Sequence, residues 1–470
     1  MNIIKLLKSN NVVNSAFWYI IGSFILKGVN FFTVPIFTSL LTPGDMGKIS
    51  IYATWISIFA ILVGIGVEGT VGSAKANLKY DEYREYLSSS LFLSTIVFVI
   101  IFFNGIIFKN QLANIMGIDI KLIMLLIIQS FFNFVISFVL VTYTFDRNYK
   151  MYLLISFLAT GLNIILSISI ILNLESDKYI GRILGWAIST IGIGLILYIK
   201  VILQGKKLIS KKLWIFCLPI ALPLIFHNLS HLLLNQADIL MLKKYTNDSI
   251  VGIYGVLYMI GSIINIIQNA INGAWIPMYY EILKSGDEEG LRKKSGIYIV
   301  VFTLITTVFM LGVPEIIKIF TDKVYWNYTS LVYVIIVGYY FVYLYTFSAN
   351  FQFYMKETKF IALGTITAAI SNIVLNYFTI RYIGIYGAAV STLVSYILLF
   401  LIHFFIVKYK FNHRDFPFKY NISGIICIFI IWVISYILID YIVIRWLMIL
   451  FILSLFLIKV YLEIKKYKVN

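Results

Sequence analysis

Charge is scarce in this sequence. Asp, Glu, Lys and Arg make up 13% of its 470 residues, where a soluble domain carries about 25%. Cysteine is scarcer still: Cys217 and Cys427 fall in different apolar segments, so no disulfide framework organises the chain. Long polar stretches are also missing, because loops between apolar runs stay within about fifteen residues, a length that holds no soluble domain. A membrane glycosyltransferase or polymerase would usually need a large outer loop for catalysis, and the sequence offers none. No G-x-x-x-x-G-K-[ST] stretch occurs, so the P-loop of an ATP-driven machine is absent.

What is present is apolar. Hydrophobic residues make up 61% of the chain and the mean hydropathy is +0.92. That much apolar surface exceeds what a core of this size can hide, so lipid must act as solvent. Apolar runs are expected to span the bilayer near 14–41, 49–74, 86–108, 121–145, 150–173, 179–201 and 213–242. Further spans are expected near 250–280, 296–318, 328–354, 359–381, 384–408, 419–440 and 444–462. The expected fold is an all-α polytopic membrane protein of about fourteen transmembrane helices. The first run, preceded by Lys5 and Lys8, is too long for a secretory signal and reads as an uncleaved span.

The net charge of +17 is topological. With the N-terminus inside, 26 of the Lys and Arg residues fall on inner loops and 11 on outer ones, and Lys27 lies within the first span. Cytoplasmic loops carry such an excess by the positive-inside rule. Both termini are therefore expected in the cytoplasm, and no nucleic-acid partner is expected.

The sequence also repeats itself. YIGRILGWAIST at 179–190 is answered by YIGIYGAAVST at 382–392, and Asn163-Ile164-Ile165-Leu166 by Asn372-Ile373-Val374-Leu375. Gly47 and Gly252 open the second and eighth spans in similar contexts. The offset is close to about 205 residues each time, with six spans between equivalents. An even number of spans gives both copies one orientation, the parallel-repeat arrangement of transporters whose lobes rock about a central site. The expected organisation is two pseudo-symmetric six-helix lobes, 1–205 and 206–410, with two further helices in 411–470.

Polar residues inside spans cost several kcal/mol unless they face a cavity or a partner, roughly 2.5–3.5 for a charge. Lys27 sits mid-span with Ser23 and Asn30 on the same face, a candidate cation for an anionic substrate or else half of a structural ion pair. Glu68 lies among Gly64, Gly66, Gly69 and Gly72; it pairs with Lys27 or takes a proton during a transport cycle, or else it gates or packs near the inner end. The seventh span places His227, His231, Asn235 and Asp238 on one face. No third ligand makes the two histidines a zinc site, so no metal is expected; a cavity stripe with a proton or sodium site fits better. Asp238 stands near the outer end, where a solvated helix terminus is the alternative account. Asn265, Asn269 and Asn272, with Ser262, repeat the theme in the eighth span, and Tyr339, Tyr343 and Asn350 in the tenth. Each of these, like Asn163 and Asn372, has an ordinary account as an interhelical hydrogen bond. Glu315, His403, Asp440 and Arg445 are expected near membrane interfaces with no special role.

Several blocks resemble a known family. LPLIFHNLS (222–230), QADILML (236–242), VGIYGVLYMI (251–260) and NAINGAWIPMYYE (269–281) are similar to the seventh and eighth spans of bacterial polysaccharide-unit (O-antigen) flippases. LLTPGDMG (40–47) and GIGVEGTVGSAK (64–75) match more loosely. That family belongs to the multidrug/oligosaccharidyl-lipid/polysaccharide exporter superfamily. The resemblance implies a transporter of the bacterial cytoplasmic (inner) membrane, not an enzyme, with no cofactor. The implied substrate is an undecaprenyl-pyrophosphate-linked oligosaccharide, held by Lys27 and the Asn, His and Tyr groups among membrane lipids. The implied drive is Na+, H+ or membrane potential, with Glu68 and Asp238 as coupling carboxylates and a polysaccharide polymerase as a possible partner. The alternatives are a peptidoglycan lipid-precursor flippase, a cation-coupled drug exporter and, from a different class, a membrane-embedded polymerase or ligase.

Overall fold

A computed structural model describes residues 22, 29, 31–412 and 418–469. Lys27, Ser23 and Asn30 lie outside the described residues. The helices in chain order are α1 Val34–Leu40, α2 Pro43–Gly64, α3 Val71–Asn77, α4 Tyr80–Ile107, α5 Lys109–Met116 and α6 Ile120–Phe145. There follow α7 Tyr149–Leu172, α8 Lys178–Gly205, α9 Lys211–Tyr245, α10 Asp248–Gly261, α11 Ile263–Ser285 and α12 Glu288–Phe320. The last six are α13 Lys323–Trp326, α14 Thr329–Tyr354, α15 Thr358–Ile383, α16 Ile385–Phe405, α17 Phe418–Ile437 and α18 Ile442–Val469.

Among the described residues, twelve helical segments are long and apolar enough to cross a membrane, with α10 and α11 taken as one. A further apolar stretch, Ile442–Ile458, belongs to the 28-residue α18. The chain is an all-α, multi-pass membrane protein. Local chemistry sets the ends of the spans. Thr42 and Asp45 form a reciprocal capping box at the start of α2, with Pro43 in the first turn. Asp119, Asn148 and Asp287 each accept a backbone N–H at the starts of α6, α7 and α12. Gly384, at φ +56°, separates α15 from α16, so a single residue makes the turn between these two spans.

The chain packs as two compact units, Met1–Gly255 and Val256–Asn470. The first includes α9, which packs on α2, α4 and the short turn at Val67–Thr70. These units and the repeat-derived lobes are thus different divisions of the chain.

The repeated motifs make the same kind of hairpin in each unit. In the first, a Cβ on Gly185 of α8 would overlap the Ser167 backbone of α7. The Arg182 guanidinium donates to Ser167 Oγ at 2.8 Å and also to Asn163 Oδ1. In the second, a Cβ on Gly387 of α16 would overlap the Thr379 carbonyl of α15. Thr379 Oγ1 donates to the Gly387 carbonyl at 3.0 Å, and Asn372 Nδ2 donates to Thr392 Oγ1 at 3.2 Å. Gly47 and Gly252 meet one another's helices: their Cβ atoms would strike the carbonyls of Asp248 and Pro43.

Two residues expected near span ends are buried within the protein. Arg445 is 1% exposed and ion-paired with Glu315. It also donates to the Leu438 carbonyl at 2.8 Å and to that of Ile439, which closes the turn between α17 and α18 and fastens it to α12. His403 is fully buried, with Nδ1 3.0 Å from Gln352 Oε1 and its ring against Tyr345. The sequence pattern puts both residues near span ends but does not show what packs over them.

Breaking a buried pair by removing one partner costs about 3–5 kcal/mol, because the other charge is left without a match. Arg445→Ala is expected to destabilise the second unit by that order, read as a lowered melting temperature in detergent, and Arg445→Lys to recover only part. An unchanged melting temperature in Arg445→Ala removes the pair's structural role.

Candidate functional site

The Glu68 region begins with a break in the helix. Ile65 and Gly66 are both left-handed, at φ +43° and +75°, and they end α2 before the turn Val67–Thr70. A β-branched residue there costs roughly 1–2 kcal/mol, and held strain of this kind clusters at functional sites. A Cβ on Gly66 would overlap the Ala221 carbonyl, and one on Gly69 the Leu224 side chain. The turn is therefore pressed against the part of α9 that contains Pro219 and Pro223. Proline lacks the amide proton, so Pro223 leaves the Pro219 carbonyl without its ordinary helical donor. Glu68 itself is half-buried and hydrogen-bonded by Ser137 of α6. Its expected ionic partner, Lys27, lies outside the described residues.

Along α9 the polar face changes character. His227 is half-buried and His231 exposed. Asn235 Nδ2 donates to the His231 carbonyl at 2.6 Å. Asp238, one further turn along, is 1% exposed. Its Oδ2 accepts from the Tyr254 hydroxyl of α10, and its Oδ1 from the Ile239 N–H at 3.1 Å. The stripe thus begins open and ends sealed. Asp238 is not a solvated helix terminus, because α10 covers it. Among the described residues no three of His, Cys, Asp and Glu gather as a metal-holding set.

The second unit holds the other stripe. On α11, Asn265 and Asn272 are half-buried and Asn269 is exposed. Asn269 Nδ2 donates to Asn265 Oδ1 at 3.3 Å, and Asn350 Nδ2 of α14 donates to Asn272 Oδ1 at 2.8 Å. Tyr343 does not join them. It is 1% exposed, its ring lies 3.9 Å from that of Phe302 and 5.3 Å from that of Phe347, and its hydroxyl has no partner.

That aromatic layer was missed in the sequence. Trp275 lies 4.6 Å from Tyr298, 5.6 Å from Phe347 and 5.3 Å from Tyr279 between ring centroids. Both Trp275 Nε1 and the Tyr279 hydroxyl are buried without hydrogen-bond partners. The available signal was the spacing of Trp275 and Tyr279, one turn apart inside the block 269–281.

Comparisons with known proteins agree with this architecture. A family model described as "Polysaccharide biosynthesis protein" matches residues 12–283. "Lsg locus putative protein 1" of Haemophilus influenzae is 24% identical over 414 residues, covering 82% of this chain and 96% of that protein. An uncharacterized membrane protein of the same organism is 22% identical over 396 residues, covering 81% of this chain and 90% of its own. Among solved structures, the lipid II flippase MurJ in an inward closed conformation superposes with a TM-score of 0.74 at 16% identity, covering 94% of this chain and 98% of that one. An inward-facing multidrug resistance MATE family transporter of the MOP superfamily gives 0.65 at 16% identity, covering 83% and 94%. At these identities the superpositions establish the shared fold.

The gradient of exposure along the stripes is open to measurement. In a Cys217→Ser, Cys427→Ser background, His231→Cys and Asn269→Cys are expected to react with a hydrophilic, membrane-impermeant maleimide. Asp238→Cys and Tyr343→Cys are expected to react at least about tenfold more slowly, as buried thiols do. Equal rates at all four positions rule out the open-to-sealed gradient; no reaction at His231→Cys or Asn269→Cys places the stripes against lipid.

Proposed function

Because this chain belongs to the polysaccharide biosynthesis protein family, we propose that it is a flippase for undecaprenyl-pyrophosphate-linked oligosaccharide repeat units. It turns O-antigen, capsule or exopolysaccharide units from the inner to the outer leaflet of the bacterial cytoplasmic membrane, by alternating access. The observation that supports this most is the extent of the family match. Residues 12–283 take in Lys27, Glu68, the α9 stripe and the α11 asparagines. The cargo explains this chemistry. A diphosphate is a multivalent anion that the ammonium of Lys27 can meet, and hydroxyl-rich sugars need the amides and imidazoles of the stripes. Lacking a P-loop, the cycle draws on a proton or sodium gradient or on membrane potential, with Glu68 and Asp238 as coupling carboxylates. A polysaccharide polymerase on the outer side would consume the product.

A second reading has its own support. The superposition with a lipid II flippase spans 94% of this chain, which favours a peptidoglycan precursor as the alternative cargo. The drug-exporter reading is weaker, since such exporters usually have twelve spans and this chain continues through α17 and α18.

Proteoliposomes containing a fluorescent polyprenyl-diphosphate oligosaccharide, with dithionite quenching of the outer leaflet, test the proposal. The wild type is expected to flip the probe and Lys27→Ala to slow it at least about tenfold, the loss of roughly one charge-assisted contact. Lys27→Arg is expected to keep most of the rate, and Glu68→Gln or Asp238→Asn to remove the dependence on the ion gradient. If unlabelled lipid II competes and the oligosaccharide probe is never flipped, the precursor reading replaces this one.

A further inference from the structure

Away from both stripes, a cavity of about 440 Å³ opens in the first unit, among the ends of α4, α6 and α8. The distribution of Lys and Arg assigns this end to the cytosolic side. Three cations line the cavity, Lys75, Arg84 and Lys200, against one acid, Asp146. Lys75 Nζ lies 2.6 Å from Asp146 Oδ1, so that charge is matched. Three further acids stand at the start of α4: Glu82 pairs with Lys212 at 2.6 Å, Glu85 pairs with Lys207 at 2.7 Å, and Asp81 does not line the cavity. Among the described residues, neither Arg84 nor Lys200 has a carboxylate partner.

Both free cations are held in place by tyrosine. The Arg84 guanidinium sits 4.6 Å from the Tyr80 ring centroid, and Lys200 Nζ lies 2.8 Å from the Tyr143 hydroxyl. Tyr83 adds a third donor. It lines the cavity, is 3% exposed, and its hydroxyl has no hydrogen-bond partner. An orphaned buried hydroxyl costs about 1–3 kcal/mol, and a ligand oxygen would recover it. Leu87, Val139 and Leu197 add apolar side chains to the lining.

A guanidinium fork, an ammonium and a phenol lining one cavity suit an anion with several acceptor oxygens. The apolar side chains in the same lining suit an ester better than a bare ion. We propose that this cavity binds a phosphate-bearing group at the cytosolic membrane surface, with Arg84 and Lys200 supplying the charge and Tyr83 a hydrogen bond. The same chemistry is offered by the headgroup of an anionic phospholipid and by free phosphate or diphosphate. The site is independent of the transported cargo and stands or falls separately from it.

The test uses the full chain in detergent. Native mass spectrometry measures retention of phosphatidylglycerol against phosphatidylcholine, and calorimetry measures inorganic phosphate and diphosphate. Wild type is expected to prefer phosphatidylglycerol at least about fivefold, and Arg84→Gln/Lys200→Gln to lose about 25-fold, since each surface cation is worth about fivefold. Lys200→Arg should retain binding. Lys207→Gln/Lys212→Gln removes the same charge from the neighbouring surface and should stay within about twofold of wild type. Saturable diphosphate binding without lipid preference, lost in the same double variant, assigns the site to soluble phosphate. The proposal is overturned if wild type binds none of these preferentially, or if the two double variants behave alike. Should Arg84→Gln/Lys200→Gln fail to fold, Tyr83→Phe decides: unchanged binding there, with Lys200→Gln also unchanged, rejects the site.

Discussion

Helices lying side by side in hydrocarbon gain little by hiding apolar surface from one another, because lipid chains are as apolar as leucine. Packing in this chain therefore depends on bringing backbones close enough for dispersion and for polar bonds that lipid cannot supply. Gly185 against Ser167 and Gly387 against Thr379 do this in the two repeated hairpins. Gly47 and Gly252 do it where α2 meets α10. At each crossing a single methyl group would collide with backbone, which cannot yield as a side chain can. The polar bonds follow from the approach. Ser167, Asn163 and Arg182 bond across one hairpin, and Thr379, Asn372 and Thr392 across the other, because the glycines have brought those side chains within reach.

The same constraint explains where charge is placed. A charge deep in the chain is stable only if its partner is built in, as for Arg445 with Glu315 and the carbonyls at the end of α17. Asp238 is met by Tyr254, and Glu68 by Ser137. Toward the ends of the spans the rule relaxes: among the described residues neither Arg84 nor Lys200, each beside a tyrosine, is paired with a carboxylate. The aromatic layer of Trp275, Tyr279 and Tyr343 in the second unit departs from this pattern, since its polar tips are buried and unpaired. Each unpaired group costs about 1–3 kcal/mol. The layer is thus less favourable as it stands than if water or a hydroxylated ligand reached it.

Much of this was legible in the sequence, for physical reasons. Span positions follow from hydropathy, since a bilayer imposes length and apolarity on each helix. The repeat was legible because Gly181, Gly185 and Asn163 answer Gly384, Gly387 and Asn372, and the structure shows glycine and asparagine closing both hairpins. What stayed hidden depends on partners distant in sequence. Arg445 and Glu315 are 130 positions apart, and nothing local in either helix indicates that they meet. Tyr343 reads as part of a polar stripe because its hydroxyl is visible in the sequence and Phe302 above it is not. Asp238 reads as a helix end because Tyr254 belongs to the next helix.

Asp238 and Glu68 also differ in what a change of protonation would do in the transport reading. Asp238 accepts from Tyr254 on α10 and from its own helix. As a carboxylate it joins α9 to α10; as a neutral acid it loses the charge that makes the Tyr254 bond strong. Tyr254 lies two residues beyond Gly252, whose backbone meets that of α2, so the bond adds a second tie to the same helix. Glu68 instead sits on a turn whose entry residues are already strained, pressed against the proline-broken part of α9. A small change there is taken up by a helix that lacks the hydrogen bonds to resist bending. One carboxylate is therefore placed to hold a contact shut and the other to act on a flexible point, and both act on α9. Under the proposed transport reading, a long helix with the Asp238–Tyr254 contact toward one end and Pro219 and Pro223 toward the other would couple the arrival of an ion to movement.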